Sequence, residues 1–179
     1  MYALTTLFDL ESNAVFARMW QKLKNECHLV PANEVSFVHL SWQGASGYQL
    51  ESAQSIIHKV CTTTRTFPVK VSGIGIFTGP EPVLYLNVVK DQALMDLHNE
   101  LWDKLSPFAE ELNGYYGPSD WVPHITLAYG TLLPVDLACA VTELMYEPFS
   151  IDLVIDNLAL IFSRDGTVGI DSRYELLPS

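Results

Sequence analysis

Basic residues are scarce in this sequence: ten Lys and Arg stand against 21 Asp and Glu, a formal net charge of −11. That excludes broad electrostatic capture of a long nucleic acid, whose affinity comes largely from Lys and Arg displacing counterions. A phosphate, if bound, is bound locally. Cysteine is sparse and odd in number. Cys27, Cys61 and Cys139 form no CxxC pair and lie far apart, which points to reduced structural thiols rather than disulfides or zinc. The opening MYALTTLFDLES lacks the basic residues and unbroken apolar run of a signal peptide, and acids interrupt the longest later apolar stretch, FSIDLVIDNLALIF. The expectation is a soluble cytoplasmic protein without membrane association. Carboxylates at metal-ligand spacing and a GxxxxGKS/T loop are also missing. Metal-assisted hydrolysis and ATP use are therefore unsupported, and no metal or cofactor is expected.

What is present suffices for one sizeable core, since 49% of the 179 residues are hydrophobic, and a single unit over 1–179 is expected. Residues 2–8 read as a strand. In 11–26, Val15, Phe16, Met19, Trp20 and Leu23 recur at helical spacing. EVSFVHLSW (34–42) is rich in β-formers, QGASGY (43–48) reads as a loop, and 49–64 as a helix. Strands are expected at 67–77 and 82–89, and the longest helix from Asp91 to Leu112, with Leu94, Leu97, Leu101, Leu105 and Phe108 on one stripe. WVPHITLAYG (121–130) is a strand, a helix starts at Pro134, and the tail 149–176 reads as strands with a hairpin turn at Asp165-Gly166.

The two halves of the chain share one order: strand, helix, histidine strand, helix, strand. His39 and His124 lie 85 residues apart, and so do Phe77 and Phe162. This indicates an internal duplication with pseudo-repeats of about 1–80 and 81–179. The expected fold is α/β (α+β) with two facing lobes, each a small sheet, mixed or partly antiparallel, with packed helices.

Each half carries His-x-Ser/Thr-hydrophobic once, as His39-Leu40-Ser41-Trp42 and His124-Ile125-Thr126-Leu127. Strand side chains alternate between faces, so each histidine shares a face with its hydroxyl while the intervening residues pack. A lone strand histidine is usually structural. Two such matches at corresponding positions of a duplicated chain carry far more weight, arising by chance on the order of one time in a hundred.

On these two motifs the chain resembles the 2H phosphoesterases, named for them, which include bacterial 2'-5' RNA ligases and 2',3'-cyclic nucleotide phosphodiesterases. The resemblance spans the whole chain and implies a cleft between two lobes. It also implies catalytic roles for His39 and His124 and phosphate-binding roles for Ser41 and Thr126. The first motif has Ser where Thr is commoner, which keeps the hydroxyl. In-line opening of a cyclic phosphodiester needs a base on the entering water and an acid on the departing ribose oxygen, on opposite sides of phosphorus. Imidazoles titrate near neutrality and can fill both roles, while hydroxyls stabilise the charge that builds on the non-bridging oxygens.

The implied activity is metal-independent hydrolysis of 2',3'-cyclic phosphates on nucleotides or RNA ends. An RNA 2'-5' ligase is the alternative within the same chemistry, and a non-catalytic nucleotide- or RNA-end-binding module the alternative outside it. A reading in which the strand histidines are merely packed requires them to lie far apart. The expected partner is a small nucleotide or RNA terminus with a cyclic or 2'-linked phosphate, and a monomer is expected. Tyr115 and Tyr116, in a Gly-bounded loop before the second motif, can stack on a base or pack against the preceding helix. Arg164 and Arg173 flank the last hairpin, within reach of a terminal phosphate or simply solvated. His28, His58 and His98 lack a hydroxyl two residues on and read as structural or exposed.

Overall fold

An aspartate starts the first helix of each half. Asp9 accepts a hydrogen bond from the Ser12 amide at 2.8 Å and Asp91 from the Leu94 amide at 2.9 Å, each satisfying a donor that the first helical turn leaves free. The computed structural model describes residues 1–29, 37–130, 132–147 and 151–179. Its first half comprises β1 (Tyr2–Leu7), α1 (Leu10–Cys27), β2 (His39–Ala45), β3 (Gly47–Tyr48), α2 (Leu50–Cys61) and β4 (Phe67–Phe77). The second comprises β5 (Val83–Val88), α3 (Gln92–Leu105), β6 (Ala109–Glu110), β7 (His124–Ala128), α4 (Pro134–Leu144), β8 (Ile151–Ile155), β9 (Asn157–Arg164) and β10 (Thr167–Glu175).

Three elements differ from expectation. The long helix stops at Leu105 rather than Leu112 because Pro107 has no amide to donate into the helix. Ala109 and Glu110 are instead taken into pairing with Tyr48 and Gly47. QGASGY is therefore not a loop: β2 continues to Ala45 and β3 follows at once. The described part of the first motif strand begins at His39, and residues 34–36 and 149–150 of two expected strands lie outside the described residues. The last hairpin turns at Asp165 and Gly166 with φ of 53° and 74°, the left-handed pair that Asp-Gly accommodates.

Two four-stranded sheets carry the fold, in the orders β10-β9-β1-β2 and β8-β4-β5-β7. Their ladders are antiparallel throughout, with no mixed pairing. Each sheet has its motif strand at one edge, then the first strand of the same chain half, then a strand from the other half. The lobes are thus not the two halves of the sequence. β4 belongs with β5, β7 and β8, while β9 and β10 belong with β1 and β2. Residues 78–82, expected as the boundary between repeats, form a hairpin connection inside one sheet. Helices pair across this exchange, α1 with α4 and α2 with α3.

The reduced-thiol expectation is corrected by that helix pairing. Cys27 and Cys139, 112 residues apart in sequence, meet across α1 and α4 with their Cα atoms 5.5 Å apart and form a disulfide. Linear spacing carried no sign of this contact. Cys61 remains a buried free thiol whose pKa burial pushes up to about 12. Among the described residues, no helix is long and apolar enough to cross a membrane.

Candidate active site

The motif strands β2 and β7 are both sheet edges, and they pack against each other. In β2, His39 pairs with Leu7 and Ser41 with Thr5; in β7, His124 pairs with Asn87 and Thr126 with Tyr85. Leu40, Trp42, Ile125 and Leu127 are buried, while both histidines and both hydroxyl residues are half-buried on the opposite face. The alternation read from the sequence is therefore the alternation found. The packed faces meet through Trp42 and Trp121, stacked with centroids 5.5 Å apart. The Trp121 indole N–H donates to the Ser41 carbonyl at 3.1 Å, tying the approach to one motif to the strand of the other.

Both imidazoles turn Nδ1 toward the carbonyl two residues back. For His124 this is a short hydrogen bond to Val122 at 2.7 Å; for His39 the Phe37 carbonyl lies at 3.5 Å, the outer limit of such a bond. A carbonyl only accepts, so Nδ1 carries the proton in the bonded tautomer and Nε2 is left for the cleft. Burial lowers both pKa values from 6.5. The carbonyl contacts offset this in part, and the charge of His124 lowers His39 further. Burial therefore favours two neutral imidazoles near neutrality.

Around His124 the second sheet supplies aromatic walls. Phe77 meets its ring edge-on at 4.9 Å, Tyr85 lies at 5.2 Å, and Phe77 stacks on Tyr85 at 4.2 Å. Tyr85 lies flat because Gly75 is beneath it, where a Cβ would overlap the phenol ring. His124 opens onto a cavity of about 840 Å³, which Tyr115 and Tyr116 also line. The two tyrosines differ. Tyr115 is 83% exposed, whereas Tyr116 is half-buried, its ring over Gly44 and its hydroxyl facing that of Ser41. Burial raises the Tyr116 pKa and the Ser41 hydroxyl offsets part of that rise.

The arginines are not brought to the motifs. Arg164 lies at the Met1 end of its sheet, where the Ser163 amide donates to the Met1 carbonyl, while His39 pairs with Leu7 at the other end of β1. Arg173 sits on the row Ala159-Thr5-Ser41, three strands from Ser41 and roughly 14 Å away at ordinary strand spacing. Its guanidinium pairs with Glu175 at 2.8 Å.

Beneath the site lie His98, whose structural reading holds, and Asn157, which the sequence did not single out. His98 is fully buried and stacks on Trp121 at 3.8 Å, the ring planes nearly parallel, with Nε2 donating to the Tyr116 carbonyl at 3.0 Å. Burial pushes its pKa down to about 4, so it is a neutral packing residue. His28 and His58 are exposed. Asn157 is buried and acts as an extra strand residue: its Oδ1 accepts from the Leu7 amide at 3.1 Å and its Nδ2 donates to the Leu7 carbonyl at 2.7 Å. Leu7 is the partner of His39. Phe77 was visible in the sequence as a repeat marker, but nothing there linked it to His124.

Two sheets with a His-x-Ser/Thr strand at each facing edge place the chain among the 2H phosphoesterases. A family model described as the 2'-5' RNA ligase superfamily matches residues 6–167, and the chain belongs to that superfamily. A Bacillus cereus (strain B4264) protein named as a candidate phosphoesterase is 28% identical over 133 residues, 74% of this chain and 73% of its own. Among solved structures, TT0787 of Thermus thermophilus superposes with a TM-score of 0.72 at 17% identity, covering 98% of this chain and 97% of that one. E. coli LigT complexed with 3'-AMP gives 0.65 at 13% identity, covering 98% and 96%. At such identities the structural likeness is one of fold.

Proposed function

We propose that the chain is a metal-independent phosphodiesterase that opens 2',3'-cyclic phosphates on nucleotides or RNA ends, with His39 as base and His124 as acid. The observation that carries this reading is the pair of half-buried imidazoles on adjacent edge strands, each with a hydroxyl two residues on and Nε2 free for the cleft. The LigT structures hold 3'-AMP in one crystal and phosphate in another. A nucleoside monophosphate is what opening a cyclic phosphate leaves.

An arriving phosphodiester brings a negative charge, which raises the pKa of a neighbouring imidazole. The proton goes to His124, whose short bond to the Val122 carbonyl favours the imidazolium. His39, enclosed and repelled by that charge, stays neutral. The water oxygen then attacks phosphorus while His39 Nε2 takes its proton. The bond from phosphorus to one ribose oxygen breaks, and His124 Nε2–H protonates that oxygen. Ser41 and Thr126 donate to the non-bridging oxygens, with the Tyr116 hydroxyl beside Ser41.

The test offers 2',3'-cyclic nucleotides and 2'-5' linked dinucleotides, in chelator, to wild type, His39→Ala and His124→Ala. Each substitution is expected to lower kcat by about 10³, with the double variant little worse than either, since acid and base act as a unit. Turnover that survives both substitutions would place the chemistry elsewhere. With a ribose 5'-hydroxyl entering in place of water, the same ring opening forms a 2'-5' linkage, the ligase activity the superfamily's name carries, and its reversal cleaves that linkage to a cyclic phosphate and a 5'-hydroxyl. The dinucleotide arm reads it.

A further inference from the structure

We infer that the cavity beside His124 is a charge filter: Glu81 and Asp120 admit the nucleoside of a cyclic phosphate and discriminate against one bearing a second phosphate. This rests on the proposed phosphodiesterase chemistry and specifies its substrate.

The cavity volume of about 840 Å³ accommodates a nucleoside, and it adjoins His124, the acid that protonates the departing ribose oxygen. The group attached through that oxygen is the nucleoside itself, so it lies on the His124 side while water enters from the His39 side. Phe77, Tyr115 and Tyr116 provide flat apolar walls, and Asn113 offers an amide. Such surfaces hold a base by stacking with little regard to its identity.

Charge is the unusual part of the wall. Glu81 and Asp120, both exposed, are its charged members, and no Lys or Arg is among the described residues that line it. Lys90 touches one lining residue, donating to the Trp121 carbonyl at 2.8 Å, but is not part of the wall. With the 2',3' edge of a ribose held at the motifs, both the base and C5' project away from them, into or along this cavity. A phosphate on C5' therefore meets carboxylates and no cation. Within the proposed substrate range, the two acids favour cyclic phosphates of single nucleosides over 5'-phosphorylated nucleotides and RNA ends with upstream phosphates.

The test compares kcat/KM for adenosine 2',3'-cyclic phosphate with that for the same compound bearing a 5'-phosphate. The ratio is internal to each variant, so general loss of activity cancels. Wild type at low ionic strength should favour the first compound about tenfold, as expected for charges several ångströms apart near a surface. The E81Q/D120N double variant should bring the ratio near unity, and so should raised salt in wild type. A wild-type ratio near one, or a preference that survives E81Q/D120N, overturns the filter. Should wild type turn over neither compound, the phosphodiesterase reading fails. The filter is then read by calorimetry with adenosine 3'-monophosphate and adenosine 3',5'-bisphosphate, with the same ratio and the same variant deciding.

Discussion

His39 and His124 occupy equivalent positions in their sheets, yet their surroundings differ. His124 has a short bond to Val122, aromatic walls from Phe77 and Tyr85, and a cavity in front of it. His39 has a long contact to Phe37, among the described residues a single nearby ring at 6.2 Å, and a buried polar network behind it in which Asn157 completes Leu7, while Trp42 donates to Thr6 and Thr6 to Asn157. Equal motifs placed in unequal environments are what an acid and a base require. The symmetry supplies two imidazoles, and the departures from it are what the proposed division into base and acid rests on.

The largest effect expected from disturbing this arrangement comes from the third imidazole, the support common to both sides. His98 holds a folded pKa of about 4 against an ordinary 6.5, so the unfolded chain binds its proton first as pH falls. Its contribution to stability is present above pH 6.5 and is lost progressively toward pH 4, by roughly 3 kcal/mol over that window. Urea unfolding at pH 7 and pH 4.5 should show this drop in wild type and a smaller one in His98→Gln. An unchanged drop would assign the acid sensitivity to other groups.

A smaller loss, about 2 kcal/mol, is expected for Asn157→Ala, which leaves the Leu7 amide and carbonyl without partners in a buried ladder. Because Leu7 pairs with His39, the acid limb of the pH–rate profile should move as well. Gly75→Ala, which displaces Tyr85 beside His124, should move the alkaline limb instead. If both variants disturb the same limb, the division of roles between the two sides is wrong.

The smallest effect is the position of the profile itself. With both pKa values lowered from 6.5 in the free protein, the kcat/KM optimum should fall below that pH. The kcat profile should extend to higher pH, because bound phosphate raises His124 in the complex. A kcat/KM optimum near about pH 8 contradicts depressed imidazoles.

Much of the site was legible because strand alternation is local. In VHLSW and PHITL, the side chains expected to pack are buried and the imidazoles and hydroxyls are half-buried on the opposite face, since a period of two is a property of the extended backbone. The same locality explains the failures. Asp91 announced its helix, but the end of α3 was settled by Pro107 and by pairing of Glu110 with Gly47, a contact across 63 residues. Arg164 and Arg173 looked available because a hairpin says nothing about which edge of a sheet it occupies.

The sequence by itself determined that this protein presents two imidazole–hydroxyl faces on strands, little positive charge, and an apolar content that must close around one core. These follow from residue type and short-range periodicity. Tertiary structure alone decided that the halves exchange strands, that Cys27 meets Cys139, that His98 lies under Trp121, and that the cavity opens on the His124 side. Each of these is a meeting of residues distant in the chain, set by how sheets and helices pack rather than by any neighbour in sequence.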